Sequence, residues 1–116
     1  MNSSLLIQAA GALPHSMPEE PFGPGVQVWK IGGKIFAVLG GEPVGLTVKC
    51  ADIETSRLLI EMGKAVKAPY FHASWARFEL ETAAPEDMLR RIEESYAQVK
   101  GGLPKKLRAA LDAPCE

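Results

Sequence analysis

The chain has 116 residues, of which 47% are hydrophobic and 23% charged, and its formal net charge is -1. These values exclude a strongly basic nucleic-acid protein and a highly charged disordered chain, while leaving room for one basic face on a near-neutral domain. The length suits a single domain whose core needs neither metal nor disulfide, expected over residues 1–113 with 114–116 as a flexible tail.

The first segment, MNSSLLIQAAGALPHS, has no Lys or Arg ahead of its apolar patch, so it reads as a short helix rather than a signal peptide. Leu5, Leu6, Ala9, Ala10 and Leu13 fall at helical spacing, Ser3 or Ser4 supplies the cap, and Pro14 stops the helix. Residues 14–25 hold four prolines and two glycines and read as an irregular connection. Three strands follow. Val26, Val28 and Lys30 share one parity, and Gly32-Gly33 makes a two-residue hairpin turn. Ile35, Ala37 and Leu39 then point one way and Phe36 and Val38 the other. After Gly40, Gly41 and Pro43, Leu46, Val48 and Cys50 form the third apolar row, with Thr47 and Lys49 opposite.

Asp52 caps a helix over 53–62, whose buried side is Ile53, Leu59, Ile60 and Met62 and whose end is Gly63. Residues 64–70 form a short edge strand, because Pro69 argues against a central one. Ala76, Phe78 and Leu80 alternate with Arg77, Glu79 and Glu81, as in a half-buried strand. The long helix spans 85–100, with Pro85 in its first turn, Glu86 and Asp87 at its positive end, and a stripe of Leu89, Ile92, Tyr96 and Val99. Gly101-Gly102 ends it, and Pro104 starts a short helix that docks Leu103, Leu107 and Leu111. This order predicts an α+β fold: a two-layer α-β(3)-α-β(2)-α arrangement, its antiparallel sheet packed by helices, plus a short C-terminal helix.

The residues point away from catalysis. Cys50 has no histidine beside it in sequence, and Ser95 is expected to bond to the preceding turn of its own helix. His15 with Glu19 and Glu20 lacks a metal-ligand set, and Gly23-Pro24-Gly25 lacks the Gly-Lys-Ser/Thr of a phosphate loop. No catalytic residue, metal or cofactor is therefore expected. Cys50 and Cys115 show no CxxC or zinc spacing, so two reduced thiols in the cytoplasm is the simplest reading. No apolar run approaches the ~18 residues of a bilayer span, so no membrane partner is expected.

Charge is uneven. Residues 49–77 carry Lys49, Arg57, Lys64, Lys67 and Arg77 against three acids, and residues 98–111 carry Lys100, Lys105, Lys106 and Arg108 against none. Such cations can hold phosphates, with Lys30 and Lys34 beside the glycine hairpin added to them, but phosphate contacts carry no base specificity. Trp29, Tyr70, His72 and Trp75 form a second candidate, an aromatic surface for a protein partner or a small ligand. Its bland alternative packs Trp75 under the helix ending near Gly63. The edge near Lys64–Tyr70 could pair with a second copy, or its charges and Pro69 could protect it.

Several segments together resemble the MmcQ/YjbR family. They are Pro21-Phe22-Gly23-Pro24, Lys30-Ile31-Gly32-Gly33-Lys34-Ile35-Phe36-Ala37 and Leu46-Thr47-Val48-Lys49-Cys50. Pro69-Tyr70 with His72 and Trp75, Ser95-Tyr96 and Leu103-Pro104-Lys105-Lys106 complete the set, which covers roughly residues 5–107. The resemblance implies a double-wing, CyaY-like DNA-binding fold, with the glycine hairpin as a wing. It also implies a non-catalytic DNA-binding protein, for which the charge distribution offers Lys30, Lys34, Lys49, Lys100, Lys105, Lys106 and Arg108 as the expected phosphate contacts. His72-Ala73-Ser74 stands where the family typically has a more basic stretch before the tryptophan.

Overall fold

The computed structural model describes residues 3–21, 25–41, 43–69 and 71–112. The expected tail 114–116, Cys115, Tyr70 and Phe22-Gly23-Pro24 lie outside the described residues. Helix α1 (Ser3–Ala12) buries Leu6 and Ala10 and leads into strand β1 (Met17–Glu19). Strands β2 (Val26–Ile31), β3 (Lys34–Gly40) and β4 (Gly45–Lys49) follow, then helix α2 (Ile53–Glu61). Strands β5 (Val66–Lys67) and β6 (Trp75–Glu79) precede the long helix α3 (Pro85–Gly101) and the short α4 (Lys105–Asp112). The strands form one sheet in the order β1-β2-β3-β4-β6-β5, and every neighbouring pair is antiparallel. The α+β class and the helix-on-sheet layering expected from the sequence are thus present.

Strand β1 corrects the reading of residues 14–25 as irregular. Met17, Pro18 and Glu19 pair with Lys30, Trp29 and Val28 at the sheet edge. All three side chains are exposed, so no alternation marked them, and an edge strand tolerates the missing amide of Pro18.

Helix α3 lies across β2, β3 and β4, and α1 packs on α3. Its buried residues are Met88, Ile92, Ser95, Tyr96 and Val99, whereas Leu89, expected in the stripe, is only partly buried. The Tyr96 ring meets Phe36 edge-on at 5.3 Å, and its hydroxyl donates to the Pro14 carbonyl at 2.6 Å, which ties the end of α1 to α3.

Helix α2 sits against β5 and β6. Asp52 caps it as expected, accepting from the Thr55 amide at 2.7 Å and the Thr55 hydroxyl at 2.8 Å. Those two bonds hold the Asp52 carboxyl below the usual range. The expected buried side is too wide: Ser56 and Leu59 are buried, but Ile53 is 39% and Met62 55% exposed. Riding beside two strands at a sheet edge, α2 has only a narrow stripe to cover.

The register of β2 and β3 matters most for the site. Trp29 lies opposite Ala37, but the next residue, Lys30, lies opposite Ile35, so Phe36 is an extra residue on β3. This bulge breaks the expected rows. Phe36 joins Ala37 and Leu39 in the helix-covered core, while Ile35 is left beside Lys30 on the other side. Leu46, Val48, Ala76 and Phe78 continue the core row, and Val38, Thr47 and Arg77 lie across from one another on the opposite face.

Candidate nucleic-acid interface

The bulge opens the sheet at one end. Pairing of β3 with β4 stops at Ala37 and Val48, although β4 continues to pair with β6 as far as Lys49 and Trp75. Ser95 of α3 fills the gap. Its hydroxyl donates to the Phe36 carbonyl at 2.6 Å and accepts from the Lys49 amide at 2.9 Å, joining two strands that no longer bond to each other. The expectation that Ser95 bonds to its own helix is therefore corrected: these two strand groups lack ladder partners, and the helix places a small hydroxyl between them.

A cleft of about 490 Å³ lies at this opened end. Lys30, Lys34 and Lys49 line it together with Ile35, Trp75, Gln98, Val99 and Leu103, and no carboxylate does so among the described residues. The bulge supplies Ile35, and the antiparallel register puts Lys49 directly opposite Trp75. The Lys49 ammonium donates to the Ser74 hydroxyl at 3.1 Å, and that hydroxyl lies 2.9 Å from His72 Nδ1. The Ser74 amide also donates to Nδ1, so Nδ1 is the acceptor and the neutral ring holds its proton on Nε2. Ser74 is 3% exposed, and its bonds hold the lysine head in place. Lys30 is less free, with its ammonium 2.7 Å from Glu19 of β1.

The C-terminal segment meets the same end of the sheet. A Cβ on Gly32 would lie 2.7 Å from Leu103 and 3.1 Å from Leu107, and the residue has φ of +58°, so the hairpin tip requires glycine twice over. Leu107 and Leu111 pack against the core, as the sequence suggested. This contact carries Lys105, Lys106 and Arg108 of α4 to the hairpin, and Lys100 arrives at the end of α3.

Three of the expected phosphate-binding residues, Lys30, Lys34 and Lys49, line one cleft. Of the expected aromatic surface, His72 and Trp75 border one cleft beside α2, Tyr70 lies outside the described residues, and Trp29 is apart from them. Trp29 is 2% exposed and belongs to the core, because its register partner is Ala37 on the helix-covered side. Trp75 is half-buried, with Phe71 against it at 4.8 Å, and the Ser56 hydroxyl of α2 donates to its carbonyl at 3.0 Å. It also borders a second cleft with Ile53, Ile60, Phe71 and His72. The sequence reading missed Ile35, Gln98, Val99 and Leu103 as cleft walls. An unbroken apolar run through Ile35-Phe36-Ala37 was the only trace of the bulge. Arg77 is engaged elsewhere, donating to the Gly40 carbonyl at 3.2 Å and to the Pro43 carbonyl. Cys50 is 2% exposed, and burial pushes its thiol up despite the nearby Arg91. Among the described residues no cluster of three metal-ligating side chains is present, and no helix is long and apolar enough to cross a membrane.

Fold and site define a small α+β domain, with an antiparallel sheet backed by helices and a lysine-lined cleft at one end. The chain belongs to the YjbR family, whose model matches residues 11–98. Its fold is similar to the crystal structure of Deinococcus radiodurans protein DR2400, which carries a DUF419 domain. The TM-score is 0.80 and the identity 25%, covering 94% of this chain and 86% of that one. No curated protein matches the chain.

Proposed function

We propose that this protein is a non-catalytic, cytoplasmic DNA-binding domain that meets phosphates with the opened end of its sheet. The observation carrying this reading is convergence. Lys30 and Lys34 of the hairpin and Lys49 at the end of β4 line one cleft, the hairpin tip packs on the segment that bears Lys105, Lys106 and Arg108, and Lys100 lies in the last turn of α3. Family membership supports the reading. Closely spaced cations release condensed counterions when they meet a polyanion, so binding must weaken steeply with salt.

The test is fluorescence anisotropy with labelled duplex and single-stranded DNA at about 50 and about 200 mM salt, a range over which affinity resting on phosphate neutralisation falls strongly. Replacing Lys105 and Lys106 together by alanine should weaken binding nearly uniformly across sequences. It should also lower the salt slope by about 1 for each phosphate that is no longer neutralised. Affinity unchanged by both salt and the double substitution would remove the proposal.

A second reading rests on the cleft beside α2. Its walls of Ile53, Ile60, Phe71 and Trp75 suit a small apolar ligand or a protein side chain. Ligand-induced thermal stabilisation that disappears in Ile60→Glu, with no DNA binding by the wild type, would favour it.

A further inference from the structure

The lysine-lined cleft has two kinds of wall, and simple phosphate binding uses only one of them. Lys30, Lys34 and Lys49 supply charge, while Trp75, Ile35, Val99 and Leu103 supply apolar surface. We infer that the cleft takes an unpaired nucleobase of single-stranded DNA, stacked against Trp75, with the adjoining phosphates on Lys34 and Lys49. This inference rests on the DNA-binding reading and deepens it.

Three features carry it. The first is size: about 490 Å³ lies within the roughly 300–1,000 Å³ of small-molecule clefts, and is room for a base and its sugar. The second is charge: an anion is complemented by a wall that holds lysines and, among the described residues, no carboxylate. The third is preorganisation. Lys49 is fixed by Ser74 directly across the strand pair from Trp75, and Phe71 braces the indole at 4.8 Å, so little side-chain freedom remains to be given up on binding. An intact duplex stacks its bases on one another and offers the cleft only backbone. A single strand offers both a π-face and flexible phosphates, the pairing that aromatic platforms with cationic rims recognise. Gln98 at the wall can meet a base edge, but one amide sets at most a mild preference.

The two tryptophans make the test direct. Trp29 is 2% exposed in the core, so a change in intrinsic fluorescence on titration reports Trp75. The protein is titrated at about 50 mM salt, where phosphate contacts are strong, with oligothymidylate and with a duplex of equal length. Quenching by the single strand, with tighter binding than to the duplex, is expected. Trp75→Leu should abolish the quench and weaken single-strand binding by about 5- to 150-fold, the effect of removing one base stack, while duplex affinity barely changes. Trp75→Phe keeps a ring against Phe71 and should retain most of the affinity. Lys34→Glu, at an exposed position that leaves the core intact, should weaken binding of both forms, since both present phosphates, and leave the quench by the single strand in place at saturation. Equal binding of both forms without a fluorescence change would overturn the stacking inference and leave the phosphate reading standing. A quench that survives Trp75→Leu would also overturn it. Failure to bind either form would overturn both readings.

Discussion

Ser95 shows how one hydroxyl stabilises an interruption in a sheet. Its partners are the carbonyl of Phe36 and the amide of Lys49, both strand groups at a point where the ladder has parted. Ser95 itself is fully buried. Ser95→Ala therefore leaves buried backbone groups unpaired and should cost about 1–3 kcal/mol, read from urea unfolding as a lowered midpoint with an unchanged slope. A change indistinguishable from zero would mean that the strands close on each other without it. Trp29 and Trp75 show the limit of reading single residues. Each sits beside a lysine in sequence or across a strand pair, yet one is core and the other a cleft wall. Their fates differ because of which side of the sheet α3 covers, and that is not encoded near either residue.

At the scale of elements, the hairpin tip packs on Leu103 and Leu107, at the start of α4. Gly32→Ala would put a Cβ 2.7 Å from Leu103 at φ +58°, whereas Gly33→Ala, at φ +82°, meets nothing within 4 Å. Both should be destabilised by about 1 kcal/mol of backbone strain, and only Gly32→Ala should also speed amide exchange in residues 105–112. Equal exchange in the two variants would show that α4 does not depend on the tip. Much at this scale was legible in the sequence. The long helix, the Asp52 cap, the glycine hairpin and the Leu103–Leu107 docking all follow from local spacing and capping chemistry. Strand β1 and the β3 bulge were not legible. The former has no buried side chain to set a period, and the latter inserts an apolar residue among apolar neighbours, so alternation looks intact. The lysines of the site were therefore visible, but the cleft they line was not, since its far wall comes from the end of α3.

Across the whole molecule, a net charge of -1 reflects interspersed charges of both signs. Glu79, Glu86 and Asp87 lie where β6 ends and α3 begins, away from the cleft, but Arg90 and Arg91 pair with Asp87, and Lys64 and Arg77 border one pocket with Glu79. The α3 macrodipole runs in the opposite sense, positive where Glu86 and Asp87 stand and negative where Lys100 does, so these side chains offset it. Global stability carries its own pH signature through Cys50. Burial raises its folded-state thiol above the ordinary value, so its contribution is complete below the ordinary thiol range and is lost as pH rises from there through the raised folded-state value. In a Cys115→Ser background, the unfolding midpoint should fall on moving from neutral to alkaline pH, and fall less steeply in Cys50→Ala. Parallel slopes in the two proteins would show that the thiol has no share in the decline.

The margins of the sheet carry a last consequence. One outer strand, β1, is three residues long and contains Pro18, and the other, β5, is two residues long. A row of free amides and carbonyls long enough to template another chain is absent from both margins among the described residues. An extended peptide therefore finds little backbone to anneal to at either described margin, and side chains, which a single substitution can change without disturbing the scaffold, are what these margins offer a partner.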